Sequence, residues 1–130
     1  EIAATLSAAA GCWPDRRKVV VFQPHRFSRT RDLMDDFSSL LSDVDCLLVT
    51  EVYAAGEKPV ASADGRALCR SIRIRGGVDP VFAPNIDRLR ETLLPLLQAD
   101  DVVLTLGAGS IGKAARALIS PMYLCEESFG

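Results

Sequence analysis

Two short stretches of the chain carry residues able to hold an anion. The first is "GAGSIGKA" at 107–114, where Gly107, Gly109 and Gly112 stand at the spacing of the glycine fingerprint that seats a dinucleotide pyrophosphate on a helix N-terminus. The same stretch fits a phosphate-cradling G-x-x-x-x-G-K loop up to its last position, where Ala114 replaces the Ser or Thr that would ligate Mg²⁺. A dinucleotide fingerprint opens its domain, and the next strand supplies an acid for the ribose. Here the glycines come near the end; Glu126 or Glu127 stands at about the right distance to imitate that acid, but no room remains for further strands. A third reading is structural: the glycines permit a tight strand-to-helix turn and close packing, with at most a supporting ligand role at the helix N-terminus.

The second stretch is "QPHRFSRTRD" at 23–32, which packs His25, Arg26 and Arg29 into one loop that feeds a helix. Guanidinium groups bind carboxylate or phosphate in a bidentate fork, and the amino end of a helix adds positive potential. Such a loop is a carboxylate or phosphate clamp. The alternative is a solvated basic turn in which Arg31 and Asp32 are surface charges and His25, the only histidine, is a structural hydrogen-bonding residue. A nucleic-acid patch is disfavoured, because one short basic loop makes few phosphate contacts.

The elements that must position these residues follow from hydrophobic periodicity. Ile2, Leu6, Ala9 and Trp13 recur at helical spacing before the apolar strand run "KVVVFQ". Leu33, Phe37, Leu40 and Leu41 define the next helix, with Thr30 as its cap and Asp32 in its first turn. "DCLLVTEV" is the second strand. Ser62 or Asp64 caps a helix burying Leu68, Cys69 and Ile72, and "DPVFAP" is the third strand. Asn85 caps a helix carrying Ile86, Leu89, Leu93 and Leu96, which Pro95 should end or kink near Leu94. "DDVVLTLG" is the fourth strand, Ile111, Ala115 and Leu118 mark the last helix, and "SPMYLCEESFG" is a tail that adds a strand or stays partly disordered. Continuous apolar strands alternating with helices predict an α/β fold: a doubly wound, mostly parallel, Rossmann-like sheet with helices on both faces. The ligand crevice of such a sheet lies beyond the carboxyl ends of its strands, where both anion-handling stretches fall.

The chain has 130 residues, 48% hydrophobic and 25% charged, enough for one domain and one core. A net charge of -2 supplies no global field to attract nucleic acid or a membrane surface, and no apolar run approaches the roughly 20 residues of a membrane span. Cys12, Cys46, Cys69 and Cys125 form no C-x-x-C pair, so buried thiols in a reducing cytoplasm fit better than a disulfide or metal framework.

"VFQPHRFSRTRDLMDDFSSLL", then "VYAAGEKPV", then "LTLGAGSIG" together resemble, in order and spacing over nearly the whole chain, the C-terminal domain of the alanine-adding Mur ligases of peptidoglycan synthesis. "EIAATL" is similar to the helix that follows a histidine-rich segment in that family, so residues 1–130 are expected to be one domain of a longer three-domain bacterial enzyme of the cytoplasm. The resemblance implies an ATP-dependent, amide-bond-forming ligase. In it the carboxylate of UDP-N-acetylmuramate becomes an acyl phosphate and the amine of L-alanine attacks it. ATP and Mg²⁺ would be bound mainly by the central domain, so this chain alone is expected to hold no catalytic residue or metal site and to be inactive.

By position, the family's alanine-carboxylate contacts fall on His25, Arg26 and Arg29. Tyr53, Ala54, Ala55 and Gly56 of the second loop, with Gly107, Gly109 and Ser110 of the fourth, are expected to line the substrate pocket, the small Ala54, Ala55 and Gly56 bordering the alanine methyl. The implied partners are L-alanine, UDP-N-acetylmuramate and the enzyme's own N-terminal and central domains, with neither nucleic acid nor membrane. Two other classes compete: a standalone nucleotide- or dinucleotide-binding Rossmann-like domain, and a non-catalytic module that binds small anions through "HRFSRTR".

Overall fold

A computed structural model of the chain describes residues 2–107 and 109–119. The expected tail element, with Cys125, Glu126 and Glu127, lies outside them, as does the side chain of Leu118. Helix α1 (Ile2–Cys12) leads into strand β1 (Lys18–Phe22), followed by α2 (Phe27–Asp32), α3 (Met34–Leu41) and β2 (Cys46–Thr50). Then come α4 (Gly65–Arg75), β3 (Val81–Ala83), α5 (Leu89–Leu93), β4 (Val102–Leu106) and α6 (Ile111–Ile119). Short 3₁₀ turns lie at Ala61–Ala63, Ile86–Arg88 and Leu94–Leu96.

The four strands form one parallel sheet in the order β3-β2-β1-β4, with Val20 of β1 opposite Leu47 of β2 and Leu104 of β4. Val19, Val20, Val21, Leu47, Leu48 and Val49 are all fully buried, which explains why these strands read as unbroken apolar runs. Alternate residues supply the two cores. Val20, Phe22, Leu47 and Val49 face Ala9 of α1, Phe37 and Leu41 of α3, and Leu68 and Ile72 of α4. On the other side Val19, Val21 and Leu48 face Leu89 and Leu93 of α5 and Ile111 of α6. The chain therefore packs helices on one face while it builds β1 to β3, then crosses to the other face to place β4 on the far side of β1.

Several boundaries follow from local chemistry. Asp64 accepts the Ala67 amide at 2.8 Å and starts α4, and Asn85 accepts the Asp87 amide at 3.0 Å. Pro95 ends α5, and the chain continues as one 3₁₀ turn. Thr30 is not a cap. Its hydroxyl, fully buried within α2, donates to the Arg26 carbonyl at 2.8 Å, one turn back, and Asp32 closes α2 instead of opening a helix. The break falls at Leu33, whose φ of -108° and ψ of 14° separate α2 from α3.

At the amino edge of the sheet, Arg17 donates to both carboxylate oxygens of Asp101, at 3.1 and 2.9 Å, and to the Leu96 carbonyl at 2.6 Å. Burial pushes the Asp101 carboxyl up, but the Arg17 hydrogen bonds, the Gln98 amide and the Arg17 charge together hold it below its ordinary value. This pair ties the entry to β1 to the entry to β4, away from the loops at the carboxyl edge.

Candidate functional site

In a doubly wound sheet, a crevice opens where neighbouring strands send their following helices to opposite faces. Here those strands are β1 and β4, since α3 joins the first core and α6 the second. The crevice mouth is formed by 23–29 after β1 and by Gly107, Gly109 and Ser110 after β4. The loop after β2 stands beside them.

Gln23 fills this crevice. Its backbone amide donates to the Leu106 carbonyl at 2.9 Å and continues the β1–β4 ladder. Its side chain, in a residue only 4% exposed, donates from Nε2 to Ser110 Oγ at 3.0 Å and accepts the Ile111 amide on Oε1 at 3.0 Å. The first amide of α6 is thus satisfied from within the chain. A β-carbon at Gly107 would fall 2.7 Å from the Gln23 carbonyl oxygen. One at Gly109 would fall 2.7 Å from Tyr53 Cγ and 2.9 Å from Gln23 Oε1. These two glycines are required by close approach, at Gly107 with a φ of 146° as well. At Gly112, which in a dinucleotide fingerprint packs helix against strand, an added β-carbon would meet nothing within 4 Å outside its own helix. The packing reading of "GAGSIGKA" is the one the geometry supports.

His25 and Tyr53 join the loops after β1 and β2. Tyr53 donates its amide to the Pro24 carbonyl and accepts the Arg26 amide on its own carbonyl, each at 2.8 Å, a one-residue extension of the parallel sheet. The two rings stack with centroids 5.6 Å apart and planes 9° from parallel. Tyr53 remains 42% exposed. His25, Tyr53 and Gly109 therefore meet around one ring, and Gln23 links Ser110 to the same group.

Arg26 and Arg29 are both exposed, at the start of α2. Arg26 has a φ of 66° and a ψ of 141°, a left-handed conformation that a non-glycine residue holds only where its surroundings impose it. The expected help from the electropositive end of α2 needs correction, because a carboxylate of the chain already lies there. Glu57 accepts the Ser28 amide on Oε1 at 3.1 Å and the Ser28 hydroxyl on Oε2 at 2.5 Å. The Ser28 hydroxyl, then its amide, with smaller contributions from the Phe27 amide and the Arg26 charge, hold the Glu57 carboxyl below its ordinary value. The exposed guanidinium groups of Arg26 and Arg29 give this end of α2 its positive charge.

The small residues after Tyr53 divide. Ala54 packs against the cluster of Phe27, Val52 and Ala63. Ala55 and Gly56 are exposed at the centre of a turn closed by the Glu57 amide donating to the Ala54 carbonyl at 3.0 Å. Both have positive φ, 51° and 89°, as in a type I′ turn.

A shallow cavity of about 310 Å³ lies beside this turn, between Ser28, Arg31, Glu57 and Val60, and another of about 300 Å³ lies beyond β3, near Asn85 and Arg88. Neither is lined by His25, Arg26 or Arg29: the two arginines are exposed and His25 is half-buried against Tyr53. Among the described residues no cluster of three His, Cys, Asp or Glu side chains could hold a metal ion, and no helix is long and apolar enough to cross a membrane.

Sequence reasoning missed two residues that organise these loops, Gln23 and Glu57. The available signal for each was a polar side chain in an unusual setting: a glutamine ending an apolar strand run, and an acid between the turn glycine and "KP".

With this geometry in place, comparisons with known proteins are specific. Residues 1–109 match the family model described as Mur ligase, glutamate ligase domain. Over 118 residues the chain is 58% identical to the UDP-N-acetylmuramate--L-alanine ligase of Thiobacillus denitrificans (strain ATCC 25259 / T1), covering 91% of this chain and 26% of that protein. The chain thus spans about a quarter of that relative's length. Its fold is similar to the crystal structure of a domain from a putative UDP-N-acetylmuramate:L-alanyl-gamma-D-glutamyl-medo-diaminopimelate ligase of Haemophilus ducreyi 35000HP, with a TM-score of 0.61, 19% identity and coverage of 91% and 78% of the two chains.

Proposed function

We propose that this chain, which belongs to the Mur ligase family through its glutamate ligase domain, is the amino-acid-binding C-terminal domain of a longer bacterial, cytoplasmic ligase that joins L-alanine to UDP-N-acetylmuramate. The observation that carries the reading is the convergence of the loops after β1, β2 and β4 on the His25–Tyr53 stack, beside two exposed arginines. The 58% identity to an alanine ligase over 118 residues, a span that covers 91% of this chain, supports the same reading.

The chemistry that these residues can perform is positioning. An amino acid that attacks through its amine needs its carboxylate held elsewhere, and Arg26 and Arg29 can supply charge-assisted, directional contacts. His25, braced by Tyr53, adds a hydrogen-bonding edge. A short side chain such as a methyl group fits beside the turn of Ala55 and Gly56, which presents no bulky or charged group.

ATP and Mg²⁺ supply carboxyl activation in such a ligase, and the described residues do not fit them. Gln23 occupies the α6 amide that would meet a phosphate, and Ala114 offers no hydroxyl to a metal. Both belong on a preceding central domain, as does part of the UDP-N-acetylmuramate site. The open position of the arginines supports the same division of labour, since a second domain is needed to enclose a ligand there and exclude water.

The test is a reconstitution. Intact ligase containing this chain, given ATP, Mg²⁺, UDP-N-acetylmuramate and L-alanine, should release ADP and form the amide product by mass spectrometry. ADP release that does not depend on L-alanine, or that another amino acid drives better, would overturn the assignment.

A further inference from the structure

The loops after β1 and β2 are fastened to each other twice. One fastening is the backbone exchange in which Tyr53 donates to the Pro24 carbonyl and accepts from the Arg26 amide. The other is Glu57, whose two carboxylate oxygens take the amide and the hydroxyl of Ser28. Arg26 lies between these two points with a φ of 66°, and Arg29 follows one residue beyond the second. A left-handed, non-glycine residue persists only where its surroundings over-determine it, and two fastenings on either side do so.

Glu57 is itself delivered by a defined support. It closes the Ala54–Glu57 turn through its own amide, and Ala54 at the other end packs against the cluster of Phe27, Val52 and Ala63, in which Phe27 is the residue between Arg26 and Ser28. The turn, the carboxylate and the arginine loop are therefore joined by packing and by hydrogen bonds. A simple surface acid would have neither a packed base nor both oxygens engaged by one residue of the facing loop.

We propose that Glu57 is a positioning residue of the amino-acid site: by holding the amide and hydroxyl of Ser28 it sets the Arg26–Arg29 turn in the conformation that presents both guanidinium groups to the substrate carboxylate. This rests on the function proposed above. Glu57 acts through Ser28 and does not touch the substrate, so its removal should weaken amino-acid binding and leave the other substrates alone.

Two measurements test this together. In intact ligase, Glu57→Ala should raise KM for L-alanine roughly tenfold, the scale of one charge-assisted hydrogen bond, with KM for ATP and for UDP-N-acetylmuramate unchanged. Glu57→Gln, which keeps one acceptor, should fall between, and the Ser28→Ala, Glu57→Ala double variant should be little worse than Glu57→Ala alone. In the 130-residue chain, Glu57→Ala should speed amide hydrogen exchange at Ser28 and change the HN–Hα coupling of Arg26, while β1 and β4 keep wild-type protection as proof of folding. An unchanged KM for L-alanine in a folded variant, or unchanged Ser28 exchange and Arg26 coupling, would overturn the proposal. Wild-type enzyme that fails to couple L-alanine to ADP release would instead overturn the functional reading, leaving exchange and coupling to decide whether Glu57 holds the turn.

Discussion

Gln23 Oε1 accepts the amide of Ile111 at 3.0 Å, so the first residue of α6 is capped by a side chain from the end of the neighbouring strand β1. A phosphate bound by the glycine loop would have to displace this contact and the partner bond to Ser110. The 130-residue chain should therefore show no micromolar affinity for ATP or NAD(P) by calorimetry, with or without Mg²⁺. Micromolar binding would restore the nucleotide-domain reading.

The same contact has a structural consequence. Gln23→Ala leaves the buried Ile111 amide without its acceptor, and should destabilise the chain by about 1–3 kcal/mol in urea unfolding. Gln23→Glu keeps an acceptor for Ile111 but places a carboxylate at a site only 4% exposed, so it should also destabilise the chain at neutral pH. Equal stability of all three proteins would show that the latch contributes nothing.

How far the sequence announced this architecture depends on the range of the interactions. The strands, both core faces, the start of α4 and the end of α5 were legible, because apolar runs, Asp64 and Pro95 act within a few residues of themselves, whereas the single helix expected after Asn85 is split into the 3₁₀ turn that Asn85 caps, α5 and a second 3₁₀ turn. Thr30 was misjudged because its hydroxyl has a local alternative, the Arg26 carbonyl, that looks the same in sequence as a capping position. The roles of Gln23 and Glu57 were not legible. Gln23 meets Ile111 from 88 residues away and Glu57 meets Ser28 from 29, and only the sheet order and a packed turn bring such pairs together. The glycine loop was ambiguous for the same reason: the atoms that crowd Gly107 and Gly109 belong to Gln23 and Tyr53.

Ala55 holds a φ of 51° beside Gly56, and both side-chain positions are exposed. Ala55→Gly should be neutral or stabilising by up to about 1 kcal/mol, because relief of the left-handed strain offsets or exceeds the extra chain entropy that glycine loses on folding. Ala55→Leu, no more strained at the β-carbon than alanine, should fold. In intact ligase it should lower kcat/KM for L-alanine if the turn borders the methyl group. Unchanged kinetics with L-alanine and with L-serine would remove the turn from the pocket.

Asp101 is held below its ordinary carboxylate value in the folded chain, its side chain only 4% exposed against Arg17. A depressed folded value contributes stability that is present above the unfolded carboxylate range and is lost as pH falls through the folded value. Thermal unfolding followed from pH 7 to pH 3 should therefore show a declining midpoint, and Asp101→Asn should lower the midpoint by several degrees at pH 7 but by less at pH 3. A variant whose deficit grows toward acid would contradict the sign.

Cys69 is 3% exposed in the core beneath α4, and burial pushes its thiol up to about 11, whereas Cys12 is exposed at the end of α1. Iodoacetamide at pH 8 should label the Cys12 peptide quickly and the Cys69 peptide only at the rate of unfolding. Comparable labelling of the two under native conditions would mean that α4 opens far more readily than its packing implies.

The most direct test of the central claim is the steady-state dependence on L-alanine in intact ligase carrying Arg26→Ala or Arg29→Ala. Arg26→Gly serves as a control that removes the guanidinium while relaxing the left-handed backbone. Each loss should raise KM for L-alanine roughly tenfold or more, and lower kcat as well, because the anchor also aims the amine. Lysine should rescue only partly, restoring charge without the planar fork, and KM for ATP and UDP-N-acetylmuramate should stay put. Folded Arg26→Ala and Arg29→Ala enzymes that keep wild-type KM and kcat for L-alanine would contradict the account and reduce this loop to a solvated basic turn.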